Sequence, residues 1–223
     1  EAIMKLGAPS PKIKIINFGI DTQKFSPSGK DINLIEELGI SNSKTVISLR
    51  SLEPIYNIET LIQTASSVTK EFPEAKFIIA GGGSQEKELK KLAKDLEILE
   101  SFRFVGKIPN EELPKYLRIA DVYVSTSLSD GGISASTAEA MACGLPVVIT
   151  DTGENKKWIE DGKDGFIIPI KNPQILAEKI IYLLQSENER KKFGDKGRKI
   201  IEERNDYHKE MAKMEKIYYE LSE

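Results

Sequence analysis

Short apolar runs rich in β-branched residues alternate with helix-patterned stretches along most of this 223-residue chain. Several of the runs are apolar without alternation, which is typical of strands covered on both faces. This order predicts an α/β fold, a Rossmann-like, doubly wound parallel sheet with helices on both faces. The predicted strands are Ile13–Asn17, Thr45–Leu49, Lys76–Ala80, Phe102–Val105, Val122–Ser125, Val147–Thr150 and Gly165–Pro169. The predicted helices between them are Asn57–Glu71, Ser84–Leu96, Glu111–Arg118, Ser134–Cys143, Glu154–Glu160 and Pro173–Gln185.

From residue 186 onward the chain carries only helical patterns. Two charged helices with apolar stripes are predicted there, at Asn188–Glu203 and His208–Leu221. These helices either pack on their own domain or reach toward another one. Because the first residue is Glu1 and not Met, we expect a segment of a longer protein. We divide it into an entry segment from a missing N-terminal domain (1–30), the Rossmann-like domain (31–185) and the C-terminal helices (186–223).

Charge and rare residues exclude several classes of function. The net charge is −3 with acidic and basic residues mixed throughout, whereas a nucleic-acid-binding domain concentrates basic residues on one face. One cysteine and one histidine exclude an internal disulfide and a cysteine- or histidine-rich metal centre. There is no Asp-x-Asp pair, and we predict no metal site. No apolar run is long enough to cross a bilayer, and we expect a cytoplasmic protein.

The most informative segment runs from residue 125 to residue 148. A polar, glycine-bearing turn with Asp130 leads into a helix of small residues that contains one carboxylate, Glu139. Gly144 suits the left-handed residue that ends a helix. Backbone N–H groups at a helix N-terminus bind phosphate, and a buried carboxylate needs hydrogen-bond donors as partners. The segment therefore favours a ligand with a diphosphate at one end and paired hydroxyls, next to Glu139, at the other.

Two further features follow predicted strands, at the edge where open α/β sheets bind ligands. Gly81-Gly82-Gly83 either lets a ligand approach the backbone or is a plain strand-to-helix turn. It lacks the G-x-G-x-x-G spacing, which disfavours a hydride-transfer enzyme. Arg50 carries a guanidinium that suits phosphate oxygens, with a surface arginine as the alternative. Asp130 is either polar turn chemistry or a functional acid.

Taken in order, these motifs resemble those of a known enzyme family. The chain is similar, over nearly its whole length, to the C-terminal, donor-binding half of a family 4 (group 1) retaining glycosyltransferase with the two-domain glycosyltransferase-B fold. Glu139–Val148 matches the family block E-A-M-A-x-G-x-P-V-V. Further matches are Asn17–Asp21 with Phe25 and Pro27, Phe77–Gly83, Phe104–Pro109 and Ala120–Val124.

The resemblance implies roles for named positions. Glu139 corresponds to the glutamate that binds the two ribose hydroxyls, and Gly132, Ile133 and Ser134 to the segment that holds the diphosphate and sugar. We include the adjacent Gly131 among these ligand-binding candidates. Lys107 and Ile108 lie where the main chain meets the base, and Gly81 to Gly83 line the cleft nearby. The implied donor is a UDP-, GDP- or ADP-sugar with no other cofactor. A sugar or lipid-linked acceptor would bind the missing N-terminal domain, and any contact with the inner face of a membrane would pass through that domain.

Three positions depart from the family pattern. The acid expected eight residues before Glu139 is Gly131, with Asp130 one place away as a possible substitute. The expected diphosphate-binding arginine and lysine are Ser51 and Tyr56, with Arg50 adjacent. We therefore treat Asp130 and Arg50 as candidate catalytic residues.

Two other classes of function stay open. The first is a sugar-nucleotide epimerase of the same architecture, which the scarcity of histidine disfavours. The second is a non-catalytic binding or assembly module that kept the fold and lost the site. We expect a hexosyltransferase-like enzyme of glycan or glycolipid synthesis, and the isolated chain to bind nucleotide without turnover.

Overall fold

A computed structural model describes residues 2–7, 9–10 and 13–222. Its sheet has six parallel strands in the order β3-β2-β1-β4-β5-β6. The strands are β1 Thr45–Leu49, β2 Lys76–Ala80, β3 Phe102–Gly106, β4 Val122–Ser125, β5 Val147–Thr150 and β6 Phe166–Ile168. The helices are α1 Ala2–Lys5, α2 Ile32–Glu37, α3 Ile58–Glu71, α4 Glu86–Asp95, α5 Leu113–Ile119, α6 Ala135–Ala142, α7 Asn155–Trp158, α8 Pro173–Gln185, α9 Glu187–Arg204 and α10 Tyr207–Ser222. Short 3₁₀ helices occupy Pro54–Tyr56 and Leu99–Ser101.

Both faces of the sheet are buried, which explains the unbroken apolar runs. Alternate strand residues enter two separate cores: Val46 packs with α3, α4 and α8, and Ile47 packs with α5, α6 and α9. The doubly wound prediction is confirmed. Six of the seven predicted strands and all eight helices predicted after residue 50 lie within two residues of the observed bounds.

The predicted strand Ile13–Asn17 is wrong. Residues 13–19 are extended chain without strand pairing, and Ile15 is 81% exposed. A run of β-branched residues becomes a strand only where a sheet edge accepts its hydrogen bonds. The nearest pairing among the described residues is an isolated bridge between Ile20, which follows this stretch, and Asp206. Helices α1 and α2 were absent from the prediction because each is too short to show an apolar period.

The two ends of the chain differ in how they contact the sheet. Ile20 and Phe25, from the segment predicted as an entry region, are buried in the core. Helix α9 packs against α6, whereas α10 buries only Glu210. The Glu210 side chain accepts a hydrogen bond from the backbone N–H of Asn17 at 3.0 Å. The beginning and the end of the described chain are therefore joined at the start of α10.

Strands β1 and β4 are neighbours from which the chain winds in opposite directions. The carboxyl ends of two such strands diverge into a crevice, and ligands of open α/β sheets bind there. Arg50 directly follows β1, and the turn that leads to α6 follows β4. The topology therefore brings two of the sequence-predicted features to one edge of the sheet.

Candidate functional site

A cleft of about 430 Å³ lies at this switch point. It brings together sequence-predicted residues from three separate loops and one helix: Arg50, Gly81, Gly82, Lys107, Ile108 and Glu139. Ser51, Leu113 and Ser136 also line the cleft. Its walls are therefore mixed: leucine and isoleucine side chains, serine hydroxyls and charged groups of both signs.

Glu139 lies partly buried on α6, among the fully buried Ala138, Ala140 and Ala142. The small alanines let α6 lie close to the sheet and place the carboxylate at the cleft wall. Burial raises the pKa of Glu139, and the nearby Lys24 ammonium partly opposes that rise. Within the described residues no group donates a hydrogen bond to this carboxylate. Both oxygens are thus free to accept from a ligand.

The turn before α6 presents backbone donors. Ser134 is the N-cap, and its Oγ accepts from the Thr137 backbone N–H at 3.2 Å. Among the described groups, nothing accepts from the backbone N–H of Gly131, Gly132 or Ile133. Such groups at a helix N-terminus form a site for anions.

The glycine turn lies beside a second cavity of about 440 Å³, which Gly131, Gly132, Ile133 and Ser134 line with Trp158. These four predicted residues do not line the first cleft. The first residue of this segment that lines it is Ala135. Ile133 is 4% exposed, and its side chain belongs to the hydrophobic core.

Arg50 and Asp130 form a shielded ion pair at the end of the cleft. Arg50 Nη2 donates to Asp130 Oδ1 at 2.6 Å, and the two side chains are 8% and 13% exposed. The guanidinium lies 4.3 Å from the centre of the Tyr56 ring, and Nη1 donates to Ser136 Oγ at 3.4 Å. Arg50 Nε is buried without a partner within the described residues. Arg50, the candidate substitute for the expected diphosphate-binding arginine, is therefore held in place, and the Asp130 carboxylate balances its charge.

Gly153 fixes the main chain of Asp130 from the opposite side. Its φ is +55°, and a Cβ added to it would lie 2.0 Å from the Asp130 carbonyl oxygen. Only glycine permits this approach together with a left-handed conformation. The turn before α6 is thus held between Arg50 and the loop after β5.

Packing accounts for two of the three consecutive glycines. A Cβ on Gly81, whose φ is +149°, would lie 2.2 Å from the Arg50 carbonyl oxygen, and one on Gly83 would lie 2.4 Å from the Leu52 carbonyl oxygen. A Cβ on Gly82 would meet only Lys107 side-chain atoms at 3.5 Å or more. Gly83 is outside the cleft lining. Gly81 and Gly83 therefore allow two loops to approach each other closely. Gly81 and Gly82 also line the cleft.

Sequence reasoning missed Lys24, Leu113 and Ser136. Ser136 Oγ lies 2.8 Å from the Tyr123 hydroxyl oxygen and also accepts from Arg50. These contacts join different elements, so spacing along the chain carries no signal of them.

The described part of the chain holds no cluster of three residues able to bind a metal ion. The thiol of Cys143 is buried, and burial raises its pKa to about 12. Over the same described residues, no helix combines the length and apolar character needed to cross a membrane.

The fold and the cleft together define a Rossmann-like domain of the glycosyltransferase-B type. The model of the family "Glycosyl transferases group 1" matches residues 31–200, and the chain belongs to that family. Among curated relatives, a GDP-mannose-dependent α-(1-6)-phosphatidylinositol monomannoside mannosyltransferase of Mycolicibacterium smegmatis is 30% identical over 167 residues, which cover 72% of this chain and 44% of the relative. An uncharacterized glycosyltransferase of Methanocaldococcus jannaschii is 27% identical over 94% of this chain and 53% of its own length.

Solved structures agree on the fold. HepE of Anabaena, crystallised with UDP-glucose, superposes with a TM-score of 0.87 at 24% identity, over 98% of this chain and 60% of HepE. The C-terminal domain of the group 1 glycosyl transferase LpcC from Francisella tularensis has a TM-score of 0.74 at 22% identity, over 84% of this chain and 99% of that domain. The chain spans about half the length of the curated relatives that it matches.

Proposed function

We propose that this chain is the donor-binding domain of a retaining glycosyltransferase that moves a sugar from a nucleotide diphosphate donor to a hydroxyl acceptor. The observation that carries the proposal is the Glu139 carboxylate, which lines the switch-point cleft and has no donor within the described residues. A carboxylate accepts from two adjacent ribose hydroxyls at once. The mannosyltransferase relative is named as GDP-mannose-dependent, and HepE was crystallised with UDP-glucose. A UDP-, GDP- or ADP-sugar is accordingly the proposed donor class.

The remaining cleft residues divide the donor among them. The base lies against the main chain of Lys107 and Ile108, and the ribose lies between Gly82 and Glu139. The diphosphate meets the amide groups before α6 and the Arg50 guanidinium, and the sugar extends along Gly131–Ser134 toward the second cavity. Fixed N–H dipoles and an arginine stabilise the charge that develops on a departing diphosphate.

The acceptor belongs to the other part of the proposed reaction. Its hydroxyl oxygen forms the new bond to the sugar carbon as the bond to the phosphate oxygen breaks, and the hydroxyl proton leaves with the departing diphosphate. The relatives are about twice as long as this chain. We therefore assign three tasks to sequence beyond these residues: binding of the acceptor, any contact with the inner face of a membrane, and closure of the cleft against water. Asp130 and Arg50 stay candidates for residues near the reacting bond. The chain alone should bind nucleotide and transfer no sugar.

Calorimetric titration tests the proposal. The wild-type chain is titrated with UDP, GDP and ADP, and compared with Glu139→Ala and with Glu178→Ala. Glu178 lies on α8 and its side chain is 67% exposed, away from the cleft. We expect at least one nucleotide to bind the wild-type chain. Glu139→Ala should lower the affinity for that nucleotide by a factor of about 10 or more, since hydrogen bonds to charged groups contribute about 1.5–3 kcal/mol. Glu178→Ala should bind it with the affinity of wild type. Absence of binding would instead support a non-catalytic module.

A further inference from the structure

An ion pair lies at the end of the cleft. Arg50 Nη2 lies 2.6 Å from Asp130 Oδ1, and the pair is largely shielded from water, with side chains 8% and 13% exposed. Shielded charges interact more strongly than exposed ones and are screened less by salt. The positive charge that Arg50 brings to the cleft is thus cancelled locally. Among the described residues that line the cleft, Lys107 is the other cation.

The two ligands of the proposed reaction differ in charge at this place. The diphosphate of a sugar nucleotide has a substituent at each end and carries two negative charges. The product, a nucleoside diphosphate, ends in a free phosphate that ionises a second time near pH 6, which gives about three negative charges at neutral pH. An uncompensated cation beside the diphosphate would therefore bind the product more strongly than the donor, and product release limits many enzymes.

We propose that Asp130 is a specificity-determining residue that balances Arg50, so that the cleft does not favour the nucleoside diphosphate product over the nucleotide-sugar donor. The inference rests on the proposed function. Asp130 acts through Arg50 and is a positioning residue in this role. The tight contact of its carbonyl oxygen with Gly153 keeps the carboxylate at Arg50. Stacking on Tyr56 keeps the guanidinium at the same place.

The charges of the two ligands predict the sign of the effect of Asp130→Asn on affinity and the ratio of the gain for the product to the gain for the donor. Asparagine keeps a carbonyl oxygen that accepts from Arg50 Nη2 and removes the negative charge. Coulomb energy scales with the charge of the ligand. If the variant binds a sugar nucleotide about 10-fold more tightly, the same field should bind the matching nucleoside diphosphate about 30-fold more tightly, so the product-to-donor preference rises about threefold. Added salt should reduce both gains.

The experiment titrates wild type and Asp130→Asn with UDP and UDP-glucose, and with GDP and GDP-mannose, at two salt concentrations. Asp151→Asn is the matched control, because Asp151 also pairs with a cation, Lys156 at 2.6 Å, but on the exposed surface outside the cleft. The double variant Arg50→Met with Asp130→Asn tests whether the gain passes through Arg50. We expect a gain in Asp130→Asn that is larger for the nucleoside diphosphate, absent in Asp151→Asn and lost in the double variant.

The outcomes separate this inference from the proposed function. Binding by wild type with unchanged or weaker binding by Asp130→Asn overturns the inference and leaves the proposed function standing. Equal gains for donor and product, or the same gain in Asp151→Asn, also overturn it. If neither wild type nor Asp130→Asn binds any of the four nucleotides, the proposed function fails, and the inference fails with it.

Discussion

Helix α9 packs against the turn that ends α6, where Gly194 and Gly144 bring two backbones together. This contact gives the sharpest test of the packing. A Cβ on Gly194 of α9 would lie 1.9 Å from the Gly144 carbonyl oxygen, about 1.5 Å short of the 3.4 Å at which ordinary contact begins. The obstacle is backbone, so no side-chain rotation relieves it. Gly144 itself has φ +77° and ends α6. Gly194→Ala must therefore move α9 away from the helix that carries Glu139.

Two effects of opposite sign compete in Gly194→Ala. Alanine in place of glycine inside a helix stabilises it by about 1 kcal/mol, whereas overpacking a close contact costs about 1–3 kcal/mol. Separation of α6 and α9 adds the loss of their other contacts. We expect a net loss of about 2 kcal/mol, which for a chain of this size lowers the melting temperature by about 4–8 °C.

Thermal and urea unfolding followed by circular dichroism measure this effect. Gly197→Ala is the matched control: it is a buried glycine on the same helix, and its Cβ would meet only Met141 side-chain atoms at 3.5–3.6 Å. That variant should be unchanged or gain up to about 1 kcal/mol from helix propensity. The reasoning is refuted if Gly194→Ala melts at or above wild type, or if Gly197→Ala is destabilised as much as Gly194→Ala.

Three further predictions concern single residues in and around the site-bearing helix and its neighbouring loop. Gly153→Ala should weaken nucleotide binding about 10-fold or more, because its Cβ would displace the Asp130 carbonyl,. The control is Gly162→Ala: Gly162 is also left-handed, at φ +75°, but a Cβ there would have nothing within 4 Å. That variant should lower the stability of the fold without changing the affinity for nucleotide. Glu139→Gln should stabilise the fold near neutral pH: burial raises the pKa of Glu139, so its ionisation opposes folding as pH rises through the folded-state pKa. Melting temperatures of that variant and wild type should converge as pH falls toward 4.5, the ordinary glutamate pKa, and a difference that grows in acid contradicts this. Cys143, with a pKa of about 12, should resist a thiol reagent at pH 8 until guanidinium unfolds the chain; rapid labelling of the native protein would contradict its burial.

The fold could be predicted because local signals agree with the tertiary structure. Strands such as Val147–Thr150 are buried on both faces and read as unbroken apolar runs, and glycine at position 144 marks the end of α6. Ile13–Asn17 has the same local character without a neighbouring strand to accept it. The pattern of apolar residues is a property of one segment of sequence, whereas strand formation also depends on a neighbouring strand that can pair with that segment.

The site was only partly predictable for a related reason. Arg50 could be proposed from the sequence because it directly follows a strand, at the edge where parallel sheets bind ligands. Glu139 could be proposed because it is the one carboxylate in a helix of small residues. The ion pair between Arg50 and Asp130 joins residues 80 positions apart, and it depends on β1 and β4 being neighbours. The roles of Gly81 and Gly83 likewise depend on the loop that follows β1, so the sequence left their function and their packing as equal alternatives.

The central claim is that Glu139 binds the ribose hydroxyls of a nucleotide diphosphate. The direct measurement compares the affinity of wild type and Glu139→Ala for the nucleoside diphosphate that binds best and for its 2′-deoxy form. The account predicts that removal of the 2′-hydroxyl weakens binding to wild type about 10-fold or more, because it removes a charge-assisted hydrogen bond, and has little effect on binding to Glu139→Ala. An equal loss in both proteins, or no loss in wild type, would contradict the account.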